Sequence, residues 1–227
     1  GGDGIHRDGV HIDGDHLTGN LTISGKANIG TAQGGDGTRN GGHGIYSGGL
    51  SSTISDKASI GTAQGGEGGS GNGGHGIFCS SVLNITTSGK IVKAQGGAGK
   101  SGGGHGIHSG NFFSISSGEI TQAAGGASTD GTGGHGIYSR QYLGISGGTI
   151  ETAQGGAGKS GGNGIHSDDY LYIFGTAKIE TAQGGSGIAA GGAGIYSKGD
   201  LTIEGSTIGK WKIDSKNNQI PDTDTGA

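Results

Sequence analysis

The residue with the widest chemical repertoire in this sequence is histidine, and it recurs inside one phrase. "GGHGIYS" at 41–47, "GGHGIFC" at 73–79, "GGHGIHS" at 103–109 and "GGHGIYS" at 133–139 put His43, His75, His105 and His135 in the same slot, about every thirty residues. Imidazole ligates metals and exchanges protons near neutral pH. If the phrases stack one per coil, these side chains fall ~5 Å apart, close enough for neighbours to share an ion. In the next two copies the slot holds Asn163 and Ala193, and at the start of the chain Asp3, with the phrase otherwise intact. That replaceability favours a structural ladder of polar side chains beside a tight turn; a shared metal ion is the alternative. Protonation of a buried column would set like charges side by side, so acid is expected to weaken the stack.

Aromatic residues offer a second chemistry. Tyr46, Phe78, His108, Tyr138, His166 and Tyr196 each follow the Ile of the phrase, and Phe112, Tyr142, Tyr170 and Tyr172 occupy the next apolar segment. Alternation with an inward Ile predicts that the first set faces outward. The two sets are expected to converge, so that Tyr138, Tyr142, His166, Tyr170, Tyr172 and Tyr196 form one exposed aromatic surface. Flat aromatic faces pack against the C–H faces of sugar rings, and large exposed apolar patches mark interaction sites. The partner this suggests is a polysaccharide or a cell-surface glycan; stacking that only stiffens the molecule is the other reading.

Carboxylates give a third test. Asp3, Asp8, Asp13 and Asp15 cluster with His6, His11 and His16, and Asp3, Asp13 and Asp15 are candidate Ca²⁺ ligands. Asp168 and Asp169 form a smaller pair near the aromatic residues. A polysaccharide lyase or hydrolase would need carboxylates on adjacent coils beside Lys or Arg. The aligned repeats offer no such set, so no catalytic residue is assigned and the chain is expected not to be an enzyme. The single Cys, Cys79, occupies a slot otherwise filled by Ser47, Ser109, Ser139, Ser167 and Ser197. It reads as a small buried substitute, and alone it forms no intrachain disulfide. "GAGKS" at 97–101 lacks the spacing and the strand–helix setting of a phosphate-binding loop.

The elements that must carry these residues follow from three apolar columns. The first is Ile5, Ile45, Ile77, Ile107, Ile137, Ile165 and Ile195; the second ends Leu-x-Ile phrases at Ile23, Ile54, Ile85, Ile115, Ile145, Ile173 and Ile203; the third is Ile29, Ile60, Ile91, Ile120, Ile150, Ile179 and Ile208. Each lies in a short alternating stretch, the signature of half-buried strand. A repeat with three such strands cannot bury its own Ile residues, but stacked copies can. The chain is therefore predicted to be all-β: a single-stranded right-handed parallel β-helix, or β-solenoid, of about seven coils with three short strands per coil. At ~4.8 Å per coil the rod is roughly 35 Å long. The β-helix is expected over 1–213, with an atypical first coil at 1–28, Trp211 and Ile213 covering the far end, and a linker or tail at 214–227. The 61 Gly residues do not recur every third position, which excludes collagen. The glycine tracts, such as "QGGAGKSGGG" at 95–104, are expected to protrude as loops with left-handed turns. Gln33, Gln64, Gln95, Gln154 and Gln183, with Ala124 in one coil, are expected to hydrogen-bond along the stack.

A net charge of −4 without a basic stripe argues against nucleic acid as a partner. No apolar run approaches the ~20 residues of a membrane-spanning helix. A chain that opens at Gly1 without Met is expected to be a fragment or processed product, with any signal or anchor outside it. "GGHGIYS", "LTISG" and "IETAQGG" resemble the Gly-rich repeats of bacterial surface proteins, including a pectate-lyase-like right-handed β-helix family of carbohydrate-binding modules, whose phrase often reads Gly-Asp-Gly-Ile followed by "LTISGG". Gly2-Asp3-Gly4-Ile5 and Leu201-Thr202-Ile203 are the closest matches here. The resemblance implies polysaccharide binding and Ca²⁺ held by Asp; here His stands where that Asp often does. Together these readings predict a non-catalytic, adhesin-like module, extracellular or at the cell surface. A structural stalk that self-associates end to end, or a polysaccharide lyase-like enzyme, are the alternatives.

Overall fold

A computed structural model describes residues 20–209 with their side chains, and the backbone of the short strands Ile5–His6, Trp211–Ile213 and Gln219–Pro221. The described residues are all-β with no helix. The chain winds as a β-solenoid with three strands per rung. Sheet A stacks the strands that begin at the Ile of the histidine phrase, from Ile5–His6 through Ile45–Ser47 to Ile195–Ser197. Sheet B stacks the Leu-x-Ile segments, from Thr22–Ile23 to Leu201–Glu204. Sheet C stacks the "IxTAQ" segments, from Asn28–Gln33 to Thr207–Ile208. Each sheet has seven parallel rungs, and sheet A is extended at the far end by Gln219–Pro221 and Trp211–Ile213 in antiparallel pairing. Gln219–Pro221 falls inside the segment expected to be a tail, and its backbone adds to the sheet.

Register is set by shape. Ile107 lies over Ile137, Phe113 over Leu143 and Ile120 over Ile150. Among the described residues all three predicted Ile columns point into the core, and most of their members are 0–2% exposed. Burying one such side chain stabilises the fold by about 1.5–3 kcal/mol. Two further inward columns complete the core: Leu83, Phe113, Leu143 and Leu171 in sheet B, and Ala63, Ala94, Ala123 and Ala153 in sheet C. In sheet C the inward Ile and Ala stand three residues apart. These strands therefore do not alternate strictly, and the second inward position is filled by a small Ala.

Inward Ser residues fasten the corner between sheets A and B. Ser139 Oγ donates to the carbonyls of Asn111 and Tyr142, both at 2.8 Å, and Ser109, Ser167 and Ser197 repeat the arrangement. Cys79, 1% exposed, fills the same slot with its Sγ against Ser52 Oγ and the Val82 carbonyl. The corner between sheets B and C uses left-handed residues, Gly118 at φ 93° and Gly148 at φ 78° among them.

The glycine tracts depart from expectation. Each folds back on itself as two close limbs, and the positive-φ glycines of the described residues lie at the B–C corner instead. The limbs interlock through backbone bonds of 2.8–2.9 Å that zigzag along the molecule: Gly74 N–H to Gly66 O, Gly97 N–H to Gly74 O, Gly104 N–H to Gly97 O, Gly126 N–H to Gly104 O. A Cβ at Gly74, Gly104 or Gly134 would overlap the carbonyl oxygen of the glycine one rung below. Glycine is required here because backbones approach too closely for any side chain, not because of left-handed turns. The result is a packed flange running beside the solenoid.

Candidate functional site

The return limb of the flange delivers each His of the phrase to the outer side of sheet A. There the rings stack in register: His43–His75 at 4.9 Å, His75–His105 at 4.8 Å and His105–His135 at 4.9 Å between centroids, within 9° of parallel. Each ring also accepts the backbone N–H of the next rung. His75 N donates to His43 Nδ1 at 2.9 Å, His105 N to His75 Nδ1 at 2.7 Å, His135 N to His105 Nδ1 at 2.8 Å and Asn163 N to His135 Nδ1 at 2.8 Å. Asn163 Oδ1 continues the pattern to Ala193 N at 2.7 Å. An Nδ1 that accepts leaves the ring proton on Nε2, so each histidine in the ladder is held neutral in one tautomer.

That geometry weighs against a metal. Ring nitrogens of His75, His105 and His108 do come within 4.8 Å of one another, and His108 Nδ1 is buried without a hydrogen-bond partner. But His75 and His105 have spent their Nδ1 lone pairs, and a metal at Nε2 would have to displace the proton there. The candidate Ca²⁺ ligands Asp3, Asp13 and Asp15 lie outside the described residues.

The row after the Ile does not present an open aromatic face. It packs on the histidine ladder as a second column, with His105–Tyr138 at 4.6 Å and His135–His166 at 4.2 Å. Tyr138, His166 and Tyr196 are half-buried in this double stack, their rings 5.5 and 4.9 Å apart in sequence. Side chains three residues apart, on the limb and on the strand, share one side of the backbone, and the ladder fills the space the second row faces. Asp168 ties the stack down: it accepts from Tyr138 OH at 2.6 Å and lies 3.0 Å from His166 Nε2, while Asn163 Nδ2 lies 2.6 Å from His166 Nδ1.

Desolvation governs the electrostatics. Burial pushes His75 and His105 well below the ordinary imidazole value, helped by neighbouring histidines. Burial likewise lowers His135 to about 3 and His108 to about 4. His166 is lowered by burial against an opposing pull from Asp168. Burial and the bond to Asp168 raise the Tyr138 phenol. Burial would raise Asp168, but its bonds from Tyr138 and His166 prevail and hold it below its usual value.

The other predicted aromatics occupy sheet B. Phe112, Tyr142 and Tyr172 form a strip across three rungs, with centroids 6.2 and 5.5 Å apart. Tyr142 lies across Gly144, where a Cβ would meet the ring at 2.8 Å. Phe112 is 46%, Tyr170 42% and Phe174 40% exposed. The structure thus brings Tyr142 and Tyr172 together beside Tyr170, and brings Tyr138, His166 and Tyr196 together elsewhere. No ring contact joins the two groups among the described residues.

Two further corrections concern sheet C. Carboxylates do recur on adjacent coils beside a base. Lys90 Nζ pairs with Glu119 and reaches Glu151 at 3.9 Å, and Lys178 Nζ bonds Glu180 at 2.6 Å. Lys90 and Glu119 precede the column Ile, whereas Glu151 follows it, so comparison within single columns missed the group. The bond from Lys90 lowers Glu119, a hydrogen bond with Glu119 raises Glu151, and all three side chains are more than a third exposed. The Gln row, in turn, does not bond along the stack. Gln95 Nε2 donates at 3.2 Å to the Gly96 carbonyl, and no side-chain hydrogen bond joins one Gln to the next among the described residues. Gln33, Gln64, Gln95 and Gln154 instead line a groove of about 630 Å³ between sheet C and the flange.

No helix among the described residues is long and apolar enough to cross a membrane. No protein-family profile, curated protein or solved structure matches this chain, so its site rests on its own geometry.

Proposed function

We propose that this chain is a non-catalytic, adhesin-like β-solenoid module of an extracellular or cell-surface protein, and that it binds polysaccharide or cell-surface glycan. The observation that carries the reading is the strip of Phe112, Tyr142 and Tyr172 on the outer face of sheet B, flanked by exposed Tyr170 and Phe174. Tyr142 lies over Gly144, whose lack of a side chain gives the ring its place on the sheet. A rigid row of aromatic faces at rung spacing suits successive sugar rings and costs little conformational entropy on binding. The resemblance to Gly-rich surface repeats points the same way. Calorimetry against neutral and acidic polysaccharides tests it. Binding that falls about tenfold or more, some 1.4 kcal/mol, in Tyr142→Ala/Tyr172→Ala is expected. Binding to no glycan would leave a structural stalk as the better reading.

A polysaccharide-cleaving enzyme is the second reading, favoured by one observation: Lys90, Glu119 and Glu151 on neighbouring rungs, with Glu151 raised by Glu119. Their exposure on an open sheet face leaves them without the water-excluding pocket that makes such charges effective. New chain ends appearing in the same polysaccharide mixtures, and absent with Glu119→Gln/Glu151→Gln, would establish it.

A further inference from the structure

The groove on sheet C is a concavity of about 630 Å³ that no role above uses. One wall is the outer face of sheet C, carrying Gln33, Gln64, Gln95 and Gln154; the other is the outgoing flange limb, including Ala98, Ala127 and Ala157. It crosses five rungs, so its length is about 19 Å at ~4.8 Å per rung. Where the Gln row is interrupted, buried Ala124 and the neighbouring Gln122 keep the channel open.

Three observations point to what it takes. Its lining is mainly polar, and Lys93, Asp36 and Glu67 are the charged side chains along it. The amides are not spent on one another: Gln95 bonds its neighbouring carbonyl, and Gln33, Gln64 and Gln154 make no side-chain hydrogen bond among the described residues. Each amide offers a paired donor and acceptor at a fixed height on the stack. The flange wall is locked by its zigzag of backbone bonds, so the groove is formed before anything enters it.

We propose that this groove binds a linear, uncharged, hydroxyl-rich polysaccharide lying along the solenoid axis, with Gln33, Gln64, Gln95 and Gln154 reading hydroxyls rung by rung. Mixed signs on the wall disfavour a polyanion, and unspent amides at a regular step suit vicinal hydroxyls, which both donate and accept. The inference rests on the glycan-binding reading but assigns a second surface, on a different sheet from the aromatic strip.

The test is calorimetry with neutral hexasaccharides of glucose, xylose and mannose, against polygalacturonate, on four proteins. These are the unmodified chain, Gln64→Ala/Gln95→Ala/Gln154→Ala, the groove-filling Ala127→Arg, and Tyr142→Ala/Tyr172→Ala. Circular dichroism melts confirm folding, and Ala127→Arg leaves every amide in place. The expected result is that a neutral hexasaccharide binds, and that both groove variants weaken it tenfold or more. A residual affinity is retained in the aromatic variant. Binding lost in the aromatic variant but unchanged in both groove variants would overturn the groove and keep the glycan reading. Tighter binding of polygalacturonate, equally lost in the groove variants, would overturn the uncharged ligand class. No binding by the unmodified chain would overturn both readings.

Discussion

At the scale of single residues, the histidine slot is an acceptor for a backbone amide. Asn163 does the same work through Oδ1, which is why Asn replaces His without disturbing the phrase. His105→Asn should therefore cost little beyond the lost ring stacking. His105→Ala strands the His135 amide, and chemical denaturation should show a loss of about 1–3 kcal/mol relative to His105→Asn. The ladder also sets a pH dependence. Folded-state values of His75, His105, His108, His135 and His166 all lie below the unfolded one near 6.5. The unfolded chain then binds protons first as pH falls. The stability these groups contribute is present above about 6.5 and is lost progressively toward about 4 for His108 and about 3 for His135. Each contributes a slope of at most ~1.4 kcal/mol per pH unit. Asp168 opposes the change at His108 and His166, while Arg140 reinforces it at His108 and Lys198 reinforces it at His166. The urea midpoint should fall from pH 7.5 to 4.5; a flat profile would mean that the ladder is not held neutral by burial.

At the scale of elements, the flange is as much a part of the fold as the three sheets. Its glycines differ in what they tolerate. Gly134→Ala places a Cβ on the Gly104 carbonyl, backbone against backbone, and should destabilise by about 3 kcal/mol or more. At Gly30, in sheet C, a Cβ meets nothing within 4 Å, and Gly30→Ala should stay within about 0.5 kcal/mol of the parent. Thermal melts of the two variants side by side measure the contrast. Equal effects would show that the limbs do not pack as described. The same close packing gives the sheet C groove a rigid wall, so flange and binding surface are one construction.

At the scale of the whole molecule, each rung packs mainly on its immediate neighbours, and stability should be nearly a sum over rungs and interfaces. Ile107 and Ile137 are register partners one rung apart. Excising 103–132 joins Ser101-Gly102 to Gly133-Gly134 and restores the phrase. The shortened chain should keep its far-ultraviolet spectrum per residue and lose only one rung's stability, read by denaturant titration. Collapse of the fold would show that the rungs are not interchangeable. The repeat explains how much could be read without coordinates. Three Ile columns at fixed spacing have one economical burial, a stacked coil, and Ser47 or Cys79 had to lie inward because they alternate with outward Tyr46 and Phe78. Phe113 and the Ala column escaped because sheet C does not alternate strictly and because Phe112, next to Phe113, is equally apolar. The sequence by itself thus determined the coil, its period and the Ile columns of its core. Only the tertiary structure decided which outward residues meet. It packed Tyr138 and His166 on the histidine ladder and Tyr196 on His166, separated them from Tyr142 and Tyr172, joined Glu151 to Lys90 and Glu119 across columns, and left the Gln amides facing a groove. Periodicity fixes a residue's height and side on a rung, whereas the lateral neighbours on the outer faces depend on how the flange folds back, which one repeat's spacing does not encode.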